Sequence, residues 1–134
     1  MIAIVASKFN EMIVNRLVKG AEQVLKKHKV TFKTYYVPGA FELPLAAKKL
    51  SKKYDAVICL GAVIRGETPH FEYVSAETAR GIMQVGLESM KPILFGVITA
   101  ENARQAEKRS GKTNNKGIET AEAALVMLDF MRKS

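Results

Sequence analysis

The chain has 134 residues, of which 48% are hydrophobic and 25% are charged, and its formal net charge is +8. This length suits a single hydrophobic core, so we expect one domain over residues 1–134. No apolar run reaches membrane-spanning length, and Met1 leads directly into a predicted strand rather than a secretory signal segment. The composition therefore argues against a membrane partner.

The positive charge could favour nucleic acid, an acidic surface or phosphorylated small molecules. The lysines, however, are spread along predicted helices as on a solvated face, and no zinc-ligand spacing, RNP-type aromatic motif or helix-turn-helix signal accompanies them. We therefore expect no nucleic-acid partner and no metal. The single cysteine, Cys59, lies in an apolar strand, which is typical of a small buried side chain in a reduced, cytoplasmic protein.

Short apolar runs alternate along the chain with segments of helical periodicity. The third run begins at Asp55, and its pattern breaks at Gly61 and again at Gly66. Pro44 is compatible with the helix after the second strand only because it falls in the first turn of that helix. Thr99 can cap the helix that follows the last strand. The predicted strands are 2–6, 30–37, 55–63 and 92–99, and the predicted helices follow each strand, ending near residues 28, 53, 90 and 109, with a last helix after 115.

This alternation predicts an α/β fold with right-handed crossovers: a flavodoxin-like open parallel four-stranded sheet with helices on both faces, in three α/β/α layers. Ligands of such sheets bind outside the carboxyl ends of the strands. The informative residues cluster there: Phe9 after the first strand, 39–42 after the second, 62–70 after the third and Thr99 after the fourth.

The segment Leu60–Tyr73, LGAVIRGETPHFEY, joins the third strand to the longest predicted helix. Thr68 is a natural N-cap, and Pro69 suits the first helical position. The unpaired N–H groups of such a helix start favour an anion, and His70 would lie beside it. The alternative is an ordinary strand–helix connection with a surface histidine.

Other candidate residues also have two interpretations. Phe9 could be a core residue at a strand end, or an exposed ring on which an electron-poor ligand stacks. Glu42 could complement a helix dipole, or accept hydrogen bonds from ligand hydroxyls. Arg109 could be solvated, or bind phosphate with its guanidinium fork, and Lys116 could be a surface lysine or a second positive charge.

Five segments together resemble the lumazine synthase (6,7-dimethyl-8-ribityllumazine synthase) family and occur in the family's order over nearly the whole chain. Of these, GAVIRGETPHFEYV is the most specific, and the shorter pieces are weak alone. The segments are SKFN at Ser7–Asn10, VPGAFELP at Val37–Pro44, GAVIRGETPHFEYV at Gly61–Val74, KPILFGVIT at Lys91–Thr99 and NKGIE at Asn115–Glu119.

The resemblance implies an enzyme that condenses 5-amino-6-(D-ribitylamino)uracil with 3,4-dihydroxy-2-butanone 4-phosphate and releases phosphate and water. It implies that His70 is the proton donor and acceptor, without metal or cofactor. The implied substrate-binding residues are Phe9 and Phe95 for the pyrimidine ring, Ala40, Phe41 and Glu42 for the ribityl chain and ring edge, the backbone of Ala62, Val63 and Ile64 for the uracil, Glu67, Thr68 and Arg109 for the phosphate, and Lys116 and Glu119 near the site.

The family also implies a homo-oligomer, either a pentamer or a shell of pentamers, with Phe95 and Arg109 reaching the site of a neighbouring subunit. Riboflavin synthase is a further partner that the resemblance allows. From the residues alone, a non-catalytic flavodoxin-like module that binds a flavin or a phosphorylated metabolite remains the alternative. Such a module would account for the sheet and the anion-binding turn, but its function would not require His70 or Arg109.

Overall fold

The computed structural model describes residues 1–134. It contains four strands, five α-helices and one short 3₁₀ helix at Ala40–Glu42. The strands are β1 (Ile2–Ser7), β2 (Phe32–Val37), β3 (Ala56–Ile64) and β4 (Ile93–Ala100), and the helices are α1 (Glu11–Lys27), α2 (Leu43–Ser51), α3 (His70–Ser89), α4 (Ala103–Lys108) and α5 (Lys116–Lys133).

The strands form one sheet in the order β2-β1-β3-β4, and all three pairings are parallel. Parallel neighbours need crossover connections, and here helices supply them. The direction in which successive strands are placed reverses at β1, because β2 lies on one side of it and β3 and β4 lie on the other. The predicted flavodoxin-like α/β sheet is confirmed.

Helices cover both faces of the sheet, giving the predicted three layers. Side chains of β3 alternate between the faces: Ile58 and Leu60 pack with α1 and α5, while Val57 and Cys59 pack with α2 and α3. Burial raises the pKa of the Cys59 thiol to about 12, which agrees with its prediction as a small buried side chain. None of the helices combines enough length with enough apolar character to span a bilayer.

The predicted break at Gly61 was wrong, because β3 continues through this glycine to Ile64. Glycine is required here for close packing rather than for a turn: a Cβ on Gly61 would lie 2.8 Å from the hydroxyl oxygen of Ser7. Gly66 does follow the strand, but it has no positive φ, and a Cβ there would meet nothing within 4 Å.

Two predicted helix caps were also wrong. Helix α3 begins at His70 with Pro69 as its N-cap, so Thr68 lies one residue outside the cap. Thr99 lies inside β4, whose pairing with β3 continues to Ala100, and the side chain of Asn102 caps α4 instead. Smaller differences concern element lengths: β2 begins at Phe32 rather than at residue 30, and the predicted helix over residues 40–53 consists of the 3₁₀ helix followed by α2.

Candidate active site

The carboxyl end of β3 is open on the side that faces β1. Pairing with β1 ends where Leu60 lies opposite Ala6, whereas pairing with β4 continues until Ile64 lies opposite Ala100. From Gly61 to Ile64, the edge toward β1 therefore has no strand partner. This edge lies at the point where the strand order reverses, which is where doubly wound sheets bind their ligands.

A cleft of about 530 Å³ lies at this open edge. Nine of its fifteen lining residues are hydrophobic, a mixture of apolar walls and a few polar groups that is typical of small-molecule sites. The cleft brings together nine of the predicted site residues, namely Phe9, Ala40, Phe41, Glu42, Ala62, Val63, Ile64, Thr68 and His70.

Phe9 follows β1 and leaves 72% of its surface exposed, so the interpretation as an ordinary core residue was wrong. Its backbone N–H donates to the carbonyl of Pro38 at 3.2 Å, which fixes the loop after β1 against the loop after β2. Phe41, on the 3₁₀ helix, is 58% exposed and also lines the cleft. Exposed rings of this kind provide flat apolar faces for a planar ligand.

Asn10 connects the Phe9 loop to β3. Its backbone is left-handed, with φ 61° and ψ 48°, a conformation that asparagine tolerates better than most residues. Asn10 occupies the N-cap position of α1, yet its side chain makes no cap hydrogen bond there. The side-chain amide instead donates to the carbonyl of Ala62 at 2.9 Å, across the switch point of the sheet.

Glu42 closes the 3₁₀ helix and borders the cleft. Its Oε1 accepts a hydrogen bond from the backbone N–H of Gly39 at 2.9 Å, so the carboxylate does have a local capping role. This contact leaves the second carboxylate oxygen and further lone pairs available, because an ionised carboxylate accepts several hydrogen bonds. Glu42 can therefore cap the 3₁₀ helix and accept hydrogen bonds from ligand hydroxyls at the same time.

The turn between β3 and α3 carries free backbone donors. The N–H groups of Gly66, Glu67 and Thr68 have no acceptor in the protein, and the hydroxyl of Thr68 accepts a long hydrogen bond of 3.4 Å from the N–H of His70. These groups lie at the N-terminal, positive end of the 20-residue helix α3. The arrangement can bind an anion. His70, the first residue of α3, is solvent-exposed and lies beside this position.

Five predicted site residues do not line the cleft of their own chain. Glu67 lies in the turn before α3 and is not among the residues that line the cleft, and Phe95 is 38% exposed on the edge strand β4. The other three meet at the start of α5: the backbone N–H of Lys116 donates to the carbonyl of Arg109 at 2.8 Å, and Lys116 Nζ lies 3.4 Å from Glu119 Oε1. We call Phe95, Arg109, Lys116 and Glu119 the distal group.

Six further residues line the cleft. Gly39 and Gly66 lie in the stretches 39–42 and 62–70 that were predicted to border a ligand, whereas Asn10, Phe71, Tyr73 and Val74 were not singled out. All six lie within the quoted segments, and all but Tyr73 and Val74 are adjacent to a predicted site residue. Tyr73 is 68% exposed, and helical spacing from His70 could have placed it one turn along the same face. The sequence holds no comparable signal for the left-handed backbone of Asn10.

Two other concavities differ from the cleft in their chemistry. One of about 550 Å³ is lined by Arg16, Lys19 and Lys112 among nine residues, of which one is hydrophobic. Another of about 360 Å³ lies among Lys48, Glu88 and Lys91 and also has one hydrophobic residue among seven. Neither offers an aromatic face, so the cleft at the switch point is the better candidate for a planar organic ligand.

The fold and the cleft together define a class: flavodoxin-like α/β proteins with a ligand cleft between the first and third strands. The model of the 6,7-dimethyl-8-ribityllumazine synthase family matches residues 1–132. The chain belongs to this family, as its sequence motifs predicted.

A GDP-L-fucose synthetase from Naegleria fowleri also aligns with the structure. The alignment covers 97% of this chain and 46% of that protein, with 18% sequence identity and a TM-score of 0.43. The chain therefore spans about half the length of that relative, and a similarity of this size carries no argument about activity.

Proposed function

We propose that this protein is a 6,7-dimethyl-8-ribityllumazine synthase that condenses 5-amino-6-(D-ribitylamino)uracil with 3,4-dihydroxy-2-butanone 4-phosphate. The observation that carries the proposal is the composition of one cleft: an exposed Phe9 ring, the open edge of β3, free turn donors and His70. Each feature matches a separate requirement of the two substrates.

The pyrimidine would stack on Phe9, with its polar edge along the backbone of Ala62, Val63 and Ile64. Peptide groups of an open strand edge alternate donors and acceptors, which suits the alternating N–H and C=O groups of a uracil. Glu42 supports the proposal because it borders the cleft with unused lone pairs for ribityl hydroxyls.

The phosphate of the second substrate would lie on the N–H groups of Glu67 and Thr68 at the start of α3. A helix N-terminus stabilises such an anion through its dipole and its free donors. His70 is then adjacent to the reacting carbons and can move protons as the reaction proceeds.

The chemistry follows from the reactivity of the substrates. The 5-amino group attacks the ketone and water leaves to give an imine; phosphate is then eliminated, and the ribitylamino nitrogen closes the second ring with loss of a second water. No covalent bond to the protein is required. Holding two such reactants in register can contribute effective molarities of about 10⁵–10⁸ M, and His70 would add about 10²–10⁴-fold by proton transfer.

The distal group would complete the cleft of a neighbouring copy in a ring, most simply a pentamer or a shell built from pentamers. Arg109 supports this proposal because its exposed guanidinium has no ion-pair partner in its own chain, so it is free to bind a phosphate bidentately. Phe95 would add a second aromatic face from the exposed edge of β4.

One assay tests the proposal against a flavin-binding module with the same fold. The purified protein is mixed with both substrates, and lumazine absorbance and inorganic phosphate are followed together. A synthase forms one phosphate per lumazine at a rate proportional to protein concentration. Absence of product under these conditions, together with saturable binding of a flavin, would overturn the proposal in favour of the binding module.

A further inference from the structure

Arg65 lies immediately after β3 and is not among the predicted site residues. Its backbone N–H donates to the carbonyl of Ala100 at 2.9 Å, which extends the β3–β4 pairing by one residue and fixes the start of the turn. Its side chain leaves 38% of its surface exposed and turns back over the loop toward α3.

The guanidinium of Arg65 contacts three groups from two other parts of the chain. Its Nε donates to Glu101 Oε2 at 2.6 Å, after β4, and its Nη1 donates to Glu72 Oε1 at 3.3 Å, in the first turn of α3. The central carbon of the guanidinium lies 4.7 Å from the centroid of the Phe71 ring. A planar guanidinium can bind carboxylates and an aromatic face at the same time, which an ammonium group cannot do equally well.

These contacts span a loop that little else restrains. The N–H groups of Gly66, Glu67 and Thr68 have no protein acceptor, and residues 65–70 are all exposed. A Cβ placed on Gly66 would have no other heavy atom within 4 Å. The contacts of Arg65 with Glu72 and Phe71 therefore join the end of β3 to the beginning of α3, in addition to the packing of Val63 and Val74 against one apolar cluster.

We propose that Arg65 is a positioning residue that holds the first turn of α3, and through it His70, against the open end of β3. This inference deepens the proposed function and rests on it for its kinetic consequence. His70 directly precedes Phe71, so a guanidinium that fixes Phe71 and Glu72 also fixes the position of the imidazole.

The hydrogen bonds to Glu101 and then to Glu72 raise the pKa of Arg65 above its ordinary value, so the group stays charged at every working pH. Exposed ion pairs of this kind contribute little to global stability. Geometry is more sensitive: a displacement of about 1 Å at a catalytic group can cost on the order of 100-fold in rate. Loss of Arg65 should therefore affect kcat much more than the melting temperature.

The kinetic test is a double-mutant cycle of Arg65→Ala with His70→Ala. Arg65→Ala alone should lower kcat about 10- to 100-fold with KM for the pyrimidine within about threefold, and Arg65→Lys should recover part of the loss. In the His70→Ala background, Arg65→Ala should change kcat by less than about twofold, because it acts through a group already removed. Multiplicative losses would overturn the proposal.

The structural test does not depend on activity. Amide hydrogen exchange of residues 66–75 should become faster in Arg65→Ala, while exchange in α1 and α5 stays unchanged. The matched control is Arg80→Ala, which removes an exposed arginine paired with Glu77 at 3.2 Å elsewhere on α3 and should alter neither kcat nor exchange at 66–75. If the wild-type protein makes no lumazine, the proposed function fails, and exchange alone decides the role of Arg65: unchanged exchange would contradict it.

Discussion

The side-chain amide of Asn10 donates a hydrogen bond to the main-chain carbonyl of Ala62 at 2.9 Å. The two residues lie 52 positions apart, and the bond joins the loop that carries Phe9 to the strand end that borders the cleft. The backbone of Asn10 is in the left-handed conformation, so this position requires both a residue that tolerates positive φ and a side chain that donates the hydrogen bond. The shape of the cleft therefore depends on a residue that need not contact the ligand.

Replacing Asn10 separates these two contributions. Asn10→Ala loses the hydrogen bond, worth about 0.5–1.5 kcal/mol, and forces alanine into a conformation that costs about 1–2 kcal/mol. Asn10→Gly loses only the hydrogen bond, since glycine adopts positive φ readily. Unfolding in denaturant should therefore rank Asn10→Ala below Asn10→Gly and both below wild type. Equal stability of the two variants would contradict the assigned backbone role.

The two histidines provide a matched test of proton transfer. His70 borders the cleft, whereas His28 lies at the end of α1 with its Nδ1 3.0 Å from the carbonyl of Val24. His70→Ala should lower kcat about 10²–10⁴-fold without abolishing product formation, because substrate alignment remains. His28→Ala should stay within twofold of wild type. A wild-type rate for His70→Ala, with both substrates saturating, would remove the catalytic assignment.

Phe9 should contribute to binding and not to stability. Since 72% of its surface is exposed, Phe9→Ala should change the melting temperature by less than about 2 °C. Loss of a stacking partner should raise KM for the pyrimidine about 10- to 100-fold, by analogy with about 1–3 kcal/mol per stacked base. Phe9→Tyr keeps the ring and should retain most of the affinity. A large loss of stability in Phe9→Ala would instead indicate a packing role.

Replacing either of two glycines near the cleft with alanine should have opposite effects on the stability of the protein. Gly61→Ala places a methyl group 2.8 Å from Ser7 Oγ and should destabilise the protein by about 1–3 kcal/mol. Gly66→Ala meets open space at ordinary φ and should be neutral or stabilising by up to about 1 kcal/mol.

The double variant Ser7→Ala/Gly61→Ala tests the reason for the first effect. Ser7 Oγ is buried and has no hydrogen-bond partner, so removing it leaves no orphaned group and relieves the contact. Recovery of most of the lost stability is expected. If the double variant is no more stable than Gly61→Ala alone, the close approach to Ser7 is not the cause.

The sheet could be predicted from the sequence because its signal is local and repeated. Four apolar runs separated by helical stripes leave few alternatives to a parallel sheet, whereas the strand order β2-β1-β3-β4 was not predicted and comes from the structure. The helix starts were harder to predict. Thr68 was predicted as the cap with Pro69 at the first helical position, but the helix begins one residue later, and periodicity alone does not fix a boundary to one residue.

The site divides in the same way. Phe9, Glu42 and His70 could be predicted because they follow strands whose carboxyl ends must meet at one edge of the sheet. Asn10 and Arg65 could not, because their contacts include partners far away in the sequence: Ala62 for Asn10, and Glu101 for Arg65. A single sequence contains no pattern that pairs such positions.

The most direct test of the central claim is a crystal structure of the protein with 6,7-dimethyl-8-ribityllumazine bound. We expect the ring system to be stacked on Phe9, with its pyrimidine edge along residues 62–64 and His70 beside the newly formed ring. Finding the molecule elsewhere, for example in the concavity lined by Arg16, Lys19 and Lys112, with the cleft at the switch point empty, would contradict the account.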